Sequence, residues 1–135
     1  MQFASNYLFV YGTLMQESKN EMSQFLATHS QFIDYGYLIG KLYKVADFPG
    51  AVLSNNIDEK VFGAVYELKD SYKVFKVLDV YEGIDKTSLE PDLYKRLLIN
   101  VFLENNTTLN CWVYIYNFPV DSLKHIPSGR YKSSI

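Results

Sequence analysis

Two features of this sequence are placed to do chemistry: a carboxylate at a helix end and a glycine loop between a strand and a helix. Glu82 stands between Tyr81 and Gly83 at the finish of a helical segment. The carbonyl end of a helix is already negative, so a cation is the stabilising choice there and an anion is not. A charge set against that field marks Glu82 as a candidate functional residue, although surface glutamates also occupy such positions. Gly12-Thr13-Leu14 follows the β-rich run Tyr7-Leu8-Phe9-Val10-Tyr11 and precedes a helical stretch. Backbone N–H groups at such a junction form a concavity for an anion. With one glycine and no following lysine or arginine, the cradle suits a carboxylate at least as well as a phosphate.

Other chemistries find no support. The metal-ligand candidates His29, His125 and Cys111 are isolated from one another in sequence, and no His-x-x-His, Cys-x-x-Cys or His-Glu-x-x-His spacing occurs. No metal and no cofactor is the expectation. Both histidines read as surface or loop residues. Cys111 lies mid-strand beside Trp112, an environment that keeps a thiol protonated and inert. There is no Gly-x-Ser-x-Gly elbow. Nor does the chain carry Gly-x-Gly-x-x-Gly or a Gly-x-x-x-x-Gly-Lys phosphate loop.

Composition narrows the class further. The 135 residues carry 13 Lys+Arg against 15 Asp+Glu, a net charge of −2. That balance argues against a nucleic-acid or anionic-membrane surface, where a basic patch is expected. Hydrophobic residues at 48% and charged residues at 21% exclude disorder as the main state. No repeat or linker interrupts the chain, so residues 1–135 read as one domain. The longest apolar runs fall far short of the ~20 residues of a membrane span, and Met1–Asn6 has no basic leader region. With a lone cysteine suited to a reducing compartment, the expected location is cytoplasmic. The 12 Tyr, 9 Phe and 1 Trp suit a half-wet cavity or a barrel interior.

The elements that must position Glu82 and the glycine loop follow from periodicity. Tyr7–Tyr11 is a strand stopped by Gly12. Lys19 to Ala27 is helical, with Met22, Phe25 and Leu26 on one face. Phe32 to Val45 is a strand whose Gly36 and Gly40 mark bends or close backbone approaches. Phe48-Pro49-Gly50 reads as a turn, Ala51–Leu53 as a short strand, and Val61–Leu68 as another. Asp70-Ser71 caps a helix with Tyr72, Phe75, Leu78 and Asp79 along one side, and Gly83 stops it. Tyr94 to Leu103 alternates, with Leu97, Ile99, Val101 and Leu103 opposite Tyr94, Arg96, Leu98, Asn100 and Phe102. After a turn at Glu104-Asn105-Asn106, Leu109 to Tyr116 returns with Cys111, Val113 and Ile115 on one face. Trp112, Tyr114 and Tyr116 occupy the other. Asp121 to Ile135 reads as irregular. About six strands, two short helices and repeated glycine bends predict an α+β fold, a small mixed β-barrel with flanking short helices.

Taken in order, Phe9-Val10-Tyr11-Gly12-Thr13-Leu14, Gly40-Lys41-Leu42-Tyr43, Phe48-Pro49-Gly50, Val61-Phe62-Gly63-Ala64-Val65-Tyr66, Leu78-Asp79-Val80-Tyr81-Glu82-Gly83, Tyr94-Lys95-Arg96, Val113-Tyr114-Ile115-Tyr116 and Ile126-Pro127-Ser128-Gly129 span nearly the whole chain. This set of blocks resembles the gamma-glutamyl cyclotransferase superfamily. The Tyr-Gly-Thr-Leu loop followed by Leu-Asp-x-x-Glu-Gly is its most specific part, and a chain this short is most similar to the gamma-glutamylamine branch. Many relatives carry Gly, an acidic residue and Trp where this chain has Gly129-Arg130-Tyr131.

The resemblance implies a compact barrel with flanking helices and an enzyme that releases 5-oxoproline from gamma-glutamyl compounds by intramolecular cyclisation. It implies that Tyr11, Gly12, Thr13 and Leu14 hold the glutamyl α-carboxylate through backbone N–H groups. It also implies that Glu82 is the catalytic acid/base, partly desolvated with its pKa raised. Tyr94 joins the substrate wall as part of a family block. Arg96 is assigned to a carboxylate at the barrel rim, and Phe48, Pro49, Trp112, Tyr114 and Tyr116 to core or rim. The expected partner is a small gamma-glutamyl molecule, with no nucleic acid and no membrane. Two alternatives stay open: a non-catalytic small-molecule or protein-binding member of the same fold, and an enzyme that removes a gamma-glutamyl cap from a biosynthetic intermediate. A single-stranded nucleic-acid module with stacking tyrosines is disfavoured by the net charge.

Overall fold

The computed structural model describes residues 5–12, 21–46, 48–84 and 91–131. In chain order the elements are β1 (Tyr7–Val10), α1 (Glu21–Thr28), β2 (Ser30–Lys44), β3 (Pro49–Leu53) and β4 (Lys60–Leu68), then α2 (Ser71–Tyr81), β5 (Tyr94–Leu103), β6 (Thr108–Tyr116) and β7 (Lys124–Ile126). Five strands close on themselves in the order β2–β4–β1–β6–β5, with β5 returning to β2 at Gly36↔Leu103 and Tyr37↔Phe102. The β1–β6 pair is parallel, while the other neighbours run antiparallel. The result is the mixed β-barrel with two short helices that the sequence predicts.

β2 is long enough to serve two neighbourhoods. Its first half pairs with β4 and β5, and Gly40–Lys44 extends past the barrel to pair with β3. β7 lies on the other side of Leu42–Lys44. Glycine is required where the backbones come closest: a Cβ at Gly36 would stand 2.5 Å from the carbonyl oxygen of Phe102.

The alternation of β6 separates two cores. Cys111, Val113 and Ile115 join Phe9, Leu38, Val61, Val65 and Val101 inside the barrel. Tyr114 lies on the opposite face with Leu8, Val10 and Tyr66, where Leu26 of α1 and Val74, Phe75 and Leu78 of α2 cover the wall. Each fully buried aliphatic side chain stabilises the fold by about 1.5–3 kcal/mol. No helix among the described residues is long and apolar enough to cross a membrane.

Three local expectations are corrected. Phe48-Pro49-Gly50 is not a turn: the Val45 N–H reaches the Phe48 carbonyl at 2.9 Å, and Pro49 and Gly50 begin β3. The tail is not wholly irregular, because Lys124–Ile126 adds β7 and brings the strands among the described residues to seven. The buried stripe of α2 is Ser71, Val74, Phe75 and Leu78, leaving Tyr72 70% exposed. His125 is exposed at the surface, as expected, and sits on β7 facing Tyr43 with ring centroids 5.2 Å apart. Helix α1 starts at Glu21, and Lys19 and Asn20 lie outside the described residues.

Candidate active site

Helix α2 delivers Glu82. At its start the Asp70 carboxylate accepts from the Lys73 N–H at 3.2 Å. At its end Gly83 adopts φ +80°, the Gly83 N–H reaches the Val80 carbonyl at 3.1 Å, and Ile84 N–H reaches Asp79 at 2.8 Å. This pair of bonds around a left-handed glycine is a Schellman closure, which satisfies the last carbonyls and fixes the backbone of Glu82 one residue earlier.

Glu82 lines a cavity of about 350 Å³ together with Tyr11 and Gly12 from the end of β1, Pro49 of β3, Tyr94 of β5 and Tyr114 of β6. Among the described residues on this wall, Glu82 carries the one charge, and Phe9, Phe48, Tyr81 and Leu93 make much of the rest apolar. Burial disfavours the ionised carboxyl, and the Asp79 carboxylate adds to that cost. Together they raise the Glu82 pKa to about 7.

The phenols around the cavity are tied down. Tyr11 donates its hydroxyl proton to the Tyr114 carbonyl and accepts from the Ala51 N–H at 3.2 Å, linking β1, β6 and β3. Tyr94 donates to the Pro49 carbonyl at 2.5 Å, and Tyr114 donates to the Asp79 carboxylate at 2.7 Å. A phenol has one proton to give. All three protons are committed to the protein, so these tyrosines offer a ligand ring faces and shape. Burial raises the pKa of all three. Gly12 is required here, because a Cβ would stand 2.6 Å from Pro49 Cγ across the cavity.

Four of the six expected site residues (Glu82, Tyr11, Gly12 and Tyr94) therefore meet at one cavity. Thr13 and Leu14 lie outside the described residues. Arg96 pairs with Asp79, as expected of a rim arginine. Phe48, Pro49 and Tyr114, expected as core or rim, belong to the core and also line the cavity. The Asp79–Tyr114 contact was missed, although the Asp79-to-Glu82 spacing places both carboxylates on one helix face. Arg130 and Tyr131 line a different hollow, where the Arg130 guanidinium lies 4.0 Å over the Phe62 ring. Cys111 is buried inside the barrel, and desolvation pushes its thiol up to about 12. Among the described residues, no three His, Cys, Asp or Glu side chains gather as a metal site.

Comparison with known proteins agrees with this fold. The family model described as gamma-glutamyl cyclotransferase, AIG2-like, matches residues 8–133. The gamma-glutamylcyclotransferase family protein YtfP of Escherichia coli K12 is 29% identical over 122 residues, covering 90% of this chain and 92% of that protein. The crystal structure of YkqA from Bacillus subtilis is 25% identical with a TM-score of 0.68 over 93% of this chain, which spans 39% of the YkqA chain. A crystal structure of an AIG2-like protein from Mus musculus shares the fold at a TM-score of 0.69, with 22% identity, 94% of this chain and 88% of that one covered.

Proposed function

The chain belongs to the gamma-glutamyl cyclotransferase, AIG2-like family, and on that premise we propose that it releases 5-oxoproline from a small gamma-glutamyl amine or peptide, with Glu82 as the general acid/base. The observation that carries this reading is the placement of Glu82, raised to about 7, on the same cavity wall as the Tyr11–Gly12 turn.

The reaction asks little of the protein beyond shape and one proton carrier. The nucleophile is the substrate's own α-amine, which attacks its γ-carbonyl carbon and closes a five-membered ring. Holding the two in a near-attack geometry lowers the barrier by ~7–11 kcal/mol in the best intramolecular cases. Backbone N–H groups of the Tyr11-Gly12-Thr13-Leu14 loop hold the α-carboxylate, and the rings of Tyr94 and Tyr114 limit how the chain folds back. The Glu82 carboxylate takes the proton that the amine loses as the C–N bond forms. It then gives that proton to the departing nitrogen as the original amide bond breaks, leaving 5-oxoproline and a free amine. Such proton transfer contributes about 10²–10⁴-fold, most effectively when the carrier's pKa lies near the working pH.

The test is a 5-oxoproline assay of purified protein against gamma-glutamyl amines, gamma-glutamyl dipeptides and glutathione. Release of 5-oxoproline with stoichiometric free amine from at least one of them is expected. Saturable binding across the panel without any product would overturn the catalytic reading in favour of a binding barrel.

A further inference from the structure

The helix turn before Glu82 carries a second carboxylate that is held more elaborately than a surface ion pair needs. Asp79 receives Arg96 Nε at 2.9 Å on Oδ1 and Arg96 Nη2 at 3.2 Å on Oδ2. The Tyr114 hydroxyl adds a third bond to Oδ1 at 2.7 Å. Both charged side chains are only 18% exposed. The guanidinium also lies 4.0 Å from the Phe75 ring centroid and 4.9 Å from that of Trp112, so α2 and β6 aromatics fix its plane. A two-pronged arginine in this setting is a pre-set charge rather than a flexible counter-ion.

We propose that Arg96 and Tyr114 form a positioning brace that partly offsets and orients the Asp79 carboxylate, so that the neighbouring Glu82 can both take up and release a proton during turnover. The inference rests on Glu82 being the proton carrier proposed above. Its physical basis is spacing. Residues three apart on a helix share a face, and a bare anion there would hold a proton on Glu82. Among the described residues, the titratable and charged groups around Glu82 are Tyr11 at the end of β1, Asp79 and Tyr81 on α2, Tyr94 and Arg96 on β5, and Tyr114 and Tyr116 on β6. Burial keeps Tyr11, Tyr94 and Tyr114 neutral. Arg96 supplies the positive charge that offsets Asp79.

The experiment titrates the Glu82 side-chain carboxyl by carbon-13 NMR, with the signal assigned by its loss in Glu82→Gln. Arg96→Met keeps an unbranched apolar side chain but bares Asp79, so the titration should move up by about one pH unit. Asp79→Asn removes the anion and leaves Arg96 uncompensated, so it should move down by about one unit. Arg96→Lys keeps the charge and should titrate within a few tenths of a unit of the wild type. Opposite displacements by the first two variants with rescue by the third are the expected result. Displacements of the same sign, or none, would overturn the brace. Should Arg96→Met not fold, a downward displacement in Asp79→Asn beside an unmoved Arg96→Lys supports the brace, and an unmoved Asp79→Asn or a displaced Arg96→Lys overturns it. The pH profile of kcat/KM separates the two levels: a profile that ignores displacements seen by NMR removes Glu82 from the reaction while leaving the brace intact.

Discussion

Strand β6 sends alternate side chains into two interiors, and each interior holds a titratable group that burial has shifted. Cys111 faces the inside of the barrel, where its thiol is pushed up to about 12. On the opposite side, where Tyr114 faces the helices, Glu82 is raised to about 7. Desolvation is the leading cause in both cases, yet the outcomes are opposed. A thiol is already protonated at neutral pH, so burial makes it more inert. A carboxyl is ordinarily ionised there, so the same burial brings it to the pH at which it can give and take a proton. The chemistry of a buried group depends on where its ordinary pKa started.

Substitutions on the two sides should therefore fail in different ways. The largest stability effect belongs to the barrel interior. Leu38→Ala removes a fully buried side chain and should cost about 2–5 kcal/mol in urea unfolding. The pH dependence of turnover should be unchanged, and a displaced profile would mean that the two interiors are coupled. On the cavity side, Glu82 binds its proton more tightly folded than unfolded, its pKa rising from 4.5 to about 7. Between those values the folded state holds the extra proton, so stability falls as pH rises. The penalty is absent below the unfolded value and complete above the folded one. Glu82→Gln should therefore exceed the wild type by up to about 3 kcal/mol near pH 8 and match it near pH 4, as denaturant unfolding at both would show. The smallest effect is that of Cys111→Ala, about 1 kcal/mol with turnover intact. Thiol labelling of the wild type should stay silent until the barrel opens, and rapid labelling of folded protein would contradict the dry interior.

Much of this division was legible from period alone. Val101 and Leu103 are buried on one face of β5, as are Cys111, Val113 and Ile115 on β6, because a strand sorts its residues by twos, whereas Leu97 on the same face of β5 is 37% exposed. Glu82 announced itself by standing at the wrong helix end, and Gly83 by following it. What stayed hidden depended on distant partners. Lys124-His125-Ile126 is too short to show a period and is a strand because the overhanging end of β2 offers it a partner. Pro49 reads as a turn residue, yet β2 also pairs with it as the first residue of β3. Asp79, Arg96 and Tyr114 come from three elements, and no local pattern announces that they meet. Phe48 and Tyr114 serve the core and the cavity at once, because a cavity wall and a core ask for the same side chains.

The most direct test of the central claim is the initial rate of 5-oxoproline release by wild type and Glu82→Gln, on the gamma-glutamyl compound that the wild type turns over best. Glutamine keeps the shape and loses the proton carrier. The expected result is a fall in kcat of about 10²–10⁴-fold with substrate binding and fold preserved. A folded Glu82→Gln protein that turns over at the wild-type rate would contradict it.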